Sequence, residues 1–335
     1  MTTRLAINGF GRIGRNILRA LYESGRKDLE VVAINDLAPT VNLAHLLKYD
    51  SVHGRFPGTI THTENSIDLG NGPIEVTAIR NLEDQNWGDN GVDIVLECTG
   101  IFTAREKAAG HLAAGAKRVL VSAPGAGADK TVVYGVNHGV LTKDDIVVSN
   151  GSCTTNALAP VAKVLHETFG IETGFMTTIH AYTGDQPTLD GVHKNLNRGR
   201  AAALSMIPTS TGAAKAIGLV MPELNGKLDG KAIRVPTPNV SVVDLNVNLA
   251  KTASVDAIND AFRAAASGSL KGVLQVIEDP TVSIDFNHDP HSSSIMSGET
   301  VVLNGTLARV LSWYDNEWGF SNRMLDTAAE MAKFL

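Results

Sequence analysis

This chain has few cysteines and no excess of positive charge. Only two of its 335 residues are cysteine, which is too few for a disulfide framework and favours a reducing compartment. Lysine and arginine number 29 against 35 acidic residues, so the net charge of −6 gives no indication of a nucleic-acid or membrane partner. No apolar run approaches the roughly 20 residues of a membrane span, and no leader pattern precedes the first predicted strand. We therefore expect a cytoplasmic protein, and no metal site is predicted.

Short apolar runs alternate with helical patterns through the first half of the chain. The predicted buried strands are residues 4–8, 29–35, 92–97, 118–122 and 146–149, and the predicted helices are residues 16–25 and 104–115. Fully apolar strands in strand–helix repeats indicate a parallel sheet covered on both faces. Residues 55–80 carry more threonine, glycine and alternating polar residues, and they predict an antiparallel extension of that sheet.

The loop after the first predicted strand has a glycine pattern typical of dinucleotide binding. Residues 8–14 (NGFGRIG) carry Gly9, Gly11 and Gly14 in the G-x-G-x-x-G spacing. The three positions allow a tight turn, close approach of a pyrophosphate, and close helix–strand packing. Asp36 follows the second predicted strand, where a carboxylate accepts hydrogen bonds from an adenosine ribose and repels a 2′-phosphate. Glycines that serve packing alone are the alternative.

The second half of the chain has a different pattern, because its strands alternate polar and apolar residues. Residues 174–182, 231–239 and 240–248 predict half-solvated antiparallel strands, residues 301–304 and 307–314 predict further strands, and residues 321–335 predict a last helix. We expect an α/β protein with a Rossmann-type parallel-sheet domain and an α+β catalytic domain whose sheet is mostly antiparallel. The domains are predicted at residues 1–150 and 151–320, with helix 321–335 packing back on the first.

The stretch VVSNGSCTTN (residues 147–156) makes Cys153 a candidate nucleophile. The sulfur lies at a predicted helix start, which favours a thiolate, with capping hydroxyls on either side. His180 ends a strand-like run and is the favoured base, although sequence spacing alone does not bring it to the thiol. A buried, inert thiol is the alternative, and Cys98 in its apolar run fits that description. A thiolate beside a dinucleotide indicates aldehyde oxidation through a hemithioacetal and a thioester.

Six collinear stretches resemble the phosphorylating glyceraldehyde-3-phosphate dehydrogenase family. They are residues 8–14, 149–156, 178–183, 209–215, 234–244 and 313–322. The resemblance implies a glycolytic or gluconeogenic homotetramer that converts glyceraldehyde 3-phosphate, NAD and inorganic phosphate to 1,3-bisphosphoglycerate. NADP is the less favoured cofactor. Erythrose-4-phosphate dehydrogenase and a non-enzymatic redox sensor that uses Cys153 are the alternative functions.

The same resemblance assigns roles to individual residues. Cys153 is implied as the nucleophile and His180 as the general base. The implied cofactor-binding residues are Gly9, Gly11, Arg12, Ile13, Gly14, Asp36, Arg80, Ser122 and Asn316, the last on the nicotinamide carboxamide. The implied site for the substrate phosphate is Thr183, Arg198 and Arg234. The implied site for the attacking phosphate is Ser152, Thr154, Thr211 and Gly212. Gly151 and Val192 depart from the family's usual residues, and Val192 bears on the strictness of the NAD preference.

Overall fold

The computed structural model describes residues 2–335, which divide into two units. The first unit comprises the chain up to Tyr134, together with His138–Ser152 and Ser321–Leu335, and the second comprises Gly135–Asn137 and Cys153–Phe320. Within residues 2–335, no helix is long and apolar enough to cross a membrane. The same residues contain no group of three or more His, Cys, Asp or Glu side chains arranged to hold a metal ion.

The first unit is built on a largely parallel sheet. Its strands are β1 (Thr3–Asn8), β2 (Leu29–Asn35), β3 (Tyr49–Asp50), β4 (Gly54–Arg55), β5 (Thr61–His62), β6 (Ser66–Asp68), β7 (Pro73–Thr77), β8 (Ile94–Glu97), β9 (Arg118–Val121), β10 (Lys130–Thr131) and β11 (Val147–Ser149). Its helices are α1 (Arg12–Ser24), α2 (Thr40–Lys48), α3 (Arg105–Ala108) and α4 (Gly110–Ala113). The strand order in the main sheet is β10-β11-β9-β8-β1-β2-β7-β6-β5, while β3 and β4 pair separately.

The parallel sheet predicted from the apolar runs is confirmed. Strand β1 lies parallel to both β2 and β8, and every residue of β8, β9 and β11 is buried. The predicted antiparallel extension was wrong at its inner strand, because β7 pairs parallel with β2 and only β5–β6 and β6–β7 are antiparallel. The chain passes from β2 to β7 through a crossover that contains α2, and crossover connections produce parallel pairs.

Strand β1 marks the point in this sheet where the strand order reverses. The chain continues from β1 through α1 to β2 on one side, and β8 lies on the other side. Asn8 and Glu97, the last residues of β1 and β8, are direct neighbours in the register. In open α/β sheets, ligands bind outside the carboxyl ends of the strands at such a point.

Contacts within the first unit hold its C-terminal segment. Arg26 forms an ion pair with Asp326 at 2.7 Å. Thr327 donates a hydrogen bond to the side chain of Asn150 at 2.7 Å, and Arg118 donates one to the carbonyl oxygen of Phe334 at 2.8 Å. The segment therefore contributes side chains and backbone to the packing of the parallel-sheet unit.

The second unit is built on a mixed sheet. Its strands are β12 (Ile171–Ala181), β13 (Ile207–Ser210), β14 (Leu228–Val235), β15 (Ser241–Leu249), β16 (Leu274–Ile277), β17 (Ser293–Met296), β18 (Val301–Leu303) and β19 (Leu307–Tyr314). Its helices are α5 (Cys153–Phe169), α6 (Ala213–Val220) and α7 (Val255–Ser267), and α8 (Trp318–Ala332) closes the chain. The strand order is β13-β14-β12-β15-β19-β17-β16, with β18 paired to β19.

The register of this sheet brings polar side chains to one end. Most pairs are antiparallel, as predicted, but β12 and β14 are parallel and place His180 opposite Arg234. Ser241, the first residue of β15, lies opposite Tyr314, the last residue of β19. Inward residues alternate along β19, so Tyr314 is buried. Residues distant in sequence therefore meet where β12, β14 and β19 end.

Candidate active site

A cavity of about 920 Å³ lies at the carboxyl end of the first unit's sheet. Its lining includes Asn8, Gly9, Gly11, Asp36, Arg80, Cys98 and Thr99. Four of the predicted cofactor-binding residues, Gly9, Gly11, Asp36 and Arg80, are among them. The cavity therefore lies where the strand order predicts ligand binding.

The three glycines of the loop each meet a different steric demand. Gly9 has a φ of +91°, and a side chain there would come within 2.6 Å of the Thr99 backbone nitrogen. A side chain on Gly14 would come within 2.3 Å of the Gly9 carbonyl oxygen. Gly11 lines the cavity with no atom within 4 Å of its missing Cβ, so its backbone is open to a ligand. These properties match the turn, packing and pyrophosphate positions of a dinucleotide loop, and the residues present fit NAD.

The other predicted cofactor residues divide between the cavity and its surroundings. Asp36 accepts hydrogen bonds from the backbone N–H groups of Phe10 at 2.8 Å and Ala38 at 3.0 Å, which fix its carboxylate at the end of β2. Arg12 and Ile13 are the first residues of α1, where backbone N–H groups point toward the N-terminus of the helix. The Arg12 side chain pairs with Asp50 at 3.1 Å, and this arginine helps to lower the pKa of Asp50 to about 2 against the effect of burial.

Ser122 contacts Cys98, the cysteine that was not predicted to be reactive. Its side chain forms a hydrogen bond with the Cys98 thiol. Desolvation raises the pKa of Cys98 far above its usual range, the neighbouring Glu97 raises it further, and the Ser122 bond opposes both effects only weakly. The predicted inert character of Cys98 thus has an electrostatic cause.

In the second unit, Cys153 and His180 lie together. The Sγ atom of Cys153 is 3.5 Å from Nε2 of His180. Cys153 is the first residue of helix α5, as the sequence predicted, and it is partly exposed, whereas His180 near the end of β12 is buried. Gly151, two residues earlier, has a φ of 65°, a conformation in which alanine would be strained. This accounts for glycine at that position.

The hydrogen-bond partners of Nδ1 determine which ring nitrogen of His180 carries the hydrogen. Nδ1 lies 2.7 Å from the carbonyl oxygen of Ala181, which only accepts hydrogen bonds. Nη1 of Arg234 lies 3.1 Å from Nδ1, but its two hydrogens have acceptors at 2.9 Å in the Ala181 carbonyl and the Thr183 hydroxyl. His180 therefore carries its hydrogen on Nδ1, which leaves the lone pair of Nε2 directed at the sulfur.

The electrostatics of this pair favour a neutral imidazole beside a neutral thiol. Burial lowers the pKa of His180 to about 3, and the positive charge of Arg234 acts in the same direction. Desolvation raises the pKa of Cys153, while Arg234 and the Thr154 hydrogen bonds oppose the rise. A protonated imidazole is disfavoured here by burial and by Arg234. His180 therefore holds a second proton only while the neighbouring sulfur is a thiolate.

Tyr314 is a buried member of the same cluster. Its hydroxyl lies 2.9 Å from the Thr154 hydroxyl and 3.0 Å from the Thr178 hydroxyl, and its ring meets the His180 ring edge-on at 6.0 Å. Burial, followed by the adjacent Cys153, raises the pKa of Tyr314, so it remains a neutral phenol. Tyr314 thereby holds the first turn of α5 against the strands that carry the histidine.

A chain of polar contacts connects the residues of the predicted substrate-phosphate site. Arg234 donates to Thr183, and Thr183 donates to the carboxylate of Asp185. Arg198 donates to the same carboxylate at 3.0 Å and to the Thr209 hydroxyl at 3.0 Å. Two guanidinium groups and a hydroxyl are therefore gathered around one half-exposed anion.

The residues predicted for the attacking phosphate lie at the starts of helices. Thr154 is in the first turn of α5, and Ser152 directly precedes that helix. Gly212 is the N-cap residue of α6, and Thr211 accepts a hydrogen bond from the Ala213 N–H at 3.2 Å. Helices α5 and α6 pack against each other, and helix starts carry positive potential that attracts anions.

Asn316 lies in a tightly held loop before α8. Its neighbour Asp315 is buried, and the carboxylate accepts hydrogen bonds at 2.7 to 2.9 Å from Asn239, from the His288 N–H and from the N–H groups of Glu317 and Trp318. The Asn316 side-chain oxygen accepts a hydrogen bond from Ser241 at 2.7 Å. Several hydrogen bonds therefore hold this loop, and helix α8 begins at Trp318 rather than at Ser321 as predicted.

Tyr314, Asp185, Ser241 and Asp315 were not among the predicted site residues. Sequence signals existed for two of them: Tyr314 continues the inward alternation of its strand, and Asp315 stands just before a helix, where capping residues are favoured. Ser241 acts through contacts with Ala181 and Asn316, which are far away in sequence, so no local pattern reveals it. Asp185 lies in a loop of irregular sequence, whose pairing with Arg198 follows no periodic pattern.

Two family models match the chain in the same order as its two units. The model described as the NAD-binding domain of glyceraldehyde 3-phosphate dehydrogenase matches residues 3–105, and the model of the C-terminal domain matches residues 152–316. The chain therefore belongs to the glyceraldehyde-3-phosphate dehydrogenase family. It is an NAD-dependent oxidoreductase, and most residues that line the cavity beside Asp36 lie in the part matched by the family's NAD-binding domain.

Relatives within the glyceraldehyde-3-phosphate dehydrogenase family match along the whole chain. The glyceraldehyde-3-phosphate dehydrogenase of Cereibacter sphaeroides is 67% identical over 335 residues and 100% of both chains. That of Xanthobacter flavus is 67% identical over 333 residues and 99% of both chains. The plasmid-encoded enzyme of Cupriavidus necator is 57% identical over 334 residues and 99% of both chains.

Proposed function

We propose that this chain oxidises glyceraldehyde 3-phosphate with NAD and inorganic phosphate to 1,3-bisphosphoglycerate. The observation that carries the proposal is the 3.5 Å separation between Sγ of Cys153 and Nε2 of His180. The names of the relatives support the same substrate, since those proteins are glyceraldehyde-3-phosphate dehydrogenases.

Cys153 and His180 carry the covalent chemistry in this proposal. The sulfur adds to the aldehyde carbon as the carbonyl oxygen takes a proton, which gives a hemithioacetal. His180 then removes the hydroxyl proton at Nε2 while the hydrogen on carbon leaves as hydride, which NAD accepts when bound. The product is a thioester on Cys153. An oxygen of inorganic phosphate attacks that carbonyl, the carbon–sulfur bond breaks, and the acyl phosphate leaves the thiolate behind.

Two anion sites hold the phosphates in this scheme. Thr183, Arg198 and Arg234 bind the phosphate of the substrate; Thr183 and Arg198 donate to Asp185, and Arg234 donates to Thr183, which keeps the three donors together. Ser152, Thr154, Thr211 and Gly212 bind the attacking phosphate with hydroxyl and N–H donors. Arg234 offers paired donors to an anchored phosphate, whereas uncharged donors let a reacting phosphate arrive and leave.

The residues that would hold NAD lie in both halves of the sequence. Gly9, Gly11, Gly14 and the first N–H groups of α1, at Arg12 and Ile13, would receive the pyrophosphate. Asp36 would accept from the adenosine ribose and disfavour NADP through charge repulsion, and Arg80 and Ser122 would contact the cofactor. Asn316 would donate to the nicotinamide carboxamide and so set which face accepts the hydride.

The finer biological assignments are also proposals. We assign residues 1–150 with helix 321–335 to NAD binding and residues 151–320 to catalysis. A homotetramer is supported by exposed apolar side chains on one segment of the second unit, since such surfaces mark protein contacts; they are Leu189, Val192, Leu196, Leu204 and Met206. Two unpaired cysteines and a reactive thiol suit the reducing cytoplasm.

One assay tests the proposed function. Absorbance of the reduced nicotinamide is followed with glyceraldehyde 3-phosphate, with and without inorganic phosphate, and with NAD or NADP. We expect sustained turnover only with phosphate and faster turnover with NAD. Erythrose 4-phosphate serves as the competing substrate. The proposal would be contradicted if erythrose 4-phosphate were turned over faster than glyceraldehyde 3-phosphate, or if turnover did not depend on inorganic phosphate.

A further inference from the structure

We propose that Ser241 is a positioning residue that fixes the carboxamide of Asn316 with its Nδ2 donor turned toward the nicotinamide. The inference rests on the function proposed above, because it takes the contact between Asn316 and the nicotinamide carboxamide from that proposal. It adds the group that determines which end of the Asn316 amide is presented.

The hydrogen bonds of Ser241 have only one consistent direction. Its Oγ lies 3.0 Å from the backbone nitrogen of Ala181, which can only donate, so Oγ is the acceptor there. The single hydroxyl hydrogen is then available for Asn316, whose Oδ1 lies 2.7 Å away. Ser241 is 1% exposed and Asn316 is 4% exposed, so water does not substitute readily for either partner.

Reversal of the Asn316 amide would break this pattern. If Nδ2 faced Ser241, the amide would donate to Oγ, and the hydroxyl hydrogen would lose Oδ1 as its acceptor. A buried donor left without an acceptor is costly, so the observed orientation is strongly preferred. Oδ1 is thereby committed to Ser241, and Nδ2 remains as the donor for a ligand.

The backbone before Ser241 has a strained conformation, and the packing that maintains it also holds this serine in place. Val240 has a φ of 68°, a left-handed conformation that β-branched residues rarely adopt. It is buried in a cluster with Phe286 and Met296, so surrounding packing maintains the conformation. Backbone strain of this kind persists where the surrounding structure over-determines a residue, and it is concentrated at functional sites.

Ala181 connects this arrangement to the proposed base. The β12–β15 ladder ends at the pair Ile179 and Val242, and beyond it the Ser241 side chain takes the N–H of Ala181. The carbonyl of Ala181 accepts from Nδ1 of His180 at 2.7 Å. One residue's backbone therefore anchors both the hydrogen on the base and, through Ser241, the amide of Asn316.

Binding measurements separate this role from a general effect on folding or catalysis. The dissociation constants of NAD and of ADP-ribose, which lacks the nicotinamide, are measured by calorimetry for wild type, Ser241→Ala, Ser241→Thr and Asn316→Ala. For Ser241→Ala we expect NAD affinity to fall about fivefold while ADP-ribose affinity is unchanged. Ser241→Thr keeps the hydroxyl and should retain the NAD affinity. Ser293→Ala, at a buried serine that donates to the Ala157 carbonyl, is the matched control and should alter neither constant.

The possible outcomes separate the inference from the proposed function. If Ser241→Ala leaves the ratio of the NAD to the ADP-ribose dissociation constant unchanged while Asn316→Ala raises it, Ser241 is not the positioning residue and the proposed role of Asn316 stands. If Asn316→Ala also leaves the ratio unchanged, both statements are wrong. Equal weakening of NAD and ADP-ribose by Ser241→Ala overturns the inference as well. Ser241→Cys, of similar size but a weaker donor, replaces Ser241→Ala if that variant does not fold, with the same expected result.

Discussion

Cys98 and Cys153 are the two cysteines of this chain, and their surroundings differ in the features that control reactivity. Desolvation raises the pKa of both thiols. Next to Cys98 lies Glu97, whose negative charge raises that pKa further, whereas Arg234 near Cys153 lowers the pKa there. Cys153 also has His180 at 3.5 Å to take its proton. The difference teaches that a desolvated thiol beside a negative charge stays protonated, whereas a base and a positive charge nearby allow a desolvated thiol to react.

Replacement of the two thiols in turn should give the largest contrast. Cys153→Ser should lower phosphate-dependent NAD reduction by about 10⁴-fold or more, because the hydroxyl is a far weaker nucleophile. Cys98→Ser should leave turnover close to that of wild type. The absorbance assay measures both variants, and calorimetry with NAD confirms that each retains its cofactor site. Sustained turnover by Cys153→Ser would remove the basis of the comparison.

Removal of the base should make Cys153 resemble Cys98. In His180→Asn the thiol must ionise alone against desolvation, so its alkylation by iodoacetamide at pH 7 should slow by about 100-fold. Its rate should recover only at pH values above the ordinary range of a thiol. Peptide mass spectrometry distinguishes the two cysteines, and the rate at Cys98 is the internal control. An unchanged rate at Cys153 would show that the two residues are not coupled.

The same histidine should leave a signature in acid stability. The pKa of His180 is lowered from 6.5 to about 3, so below pH 6.5 the unfolded chain binds a proton that the native chain does not. Wild type should therefore lose stability relative to His180→Asn by up to about 1.4 kcal/mol per pH unit as the pH falls from 6.5 toward 3. Melting temperatures of both proteins across this range provide the measurement. A constant difference between them would contradict the buried, neutral imidazole.

A change on the Cys98 side should affect cofactor choice and leave the thiol chemistry intact. Asp36 lines the same cavity as Cys98 and presents a fixed carboxylate. Asp36→Ala should reduce the preference for NAD over NADP by about tenfold, because the charge that repels a 2′-phosphate is gone. The kcat/KM values for the two cofactors test this, and alkylation of Cys153 should proceed at the wild-type rate. An unchanged NAD/NADP ratio would argue against the ribose role of Asp36.

Much of the fold was predictable because its signals are local. Short stretches of sequence were enough to predict three features. They are the apolar strands β1 and β8, the glycine loop with Gly9, Gly11 and Gly14, and the helix that begins at Cys153. Strand β7 was predicted wrongly because its parallel pairing depends on a crossover, which composition does not reveal.

The site was less predictable than the fold, since its residues meet only through the register of distant strands. Pairing of β12 with β14 sets Arg234 opposite His180, and pairing of β15 with β19 brings Ser241 to Tyr314. The helix start at Cys153 is visible in the sequence, whereas the desolvation that raises the pKa of this thiol depends on packing and is not.

Trapping of the acyl-enzyme tests the central claim most directly. The protein is mixed with NAD and glyceraldehyde 3-phosphate without inorganic phosphate, and intact and peptide mass spectra are recorded before and after phosphate is added. We predict one 3-phosphoglyceroyl group on the peptide that contains Cys153, none on the peptide that contains Cys98, and loss of the group when phosphate is added. Formation of NADH with no adduct, or with the adduct on Cys98, would contradict the account.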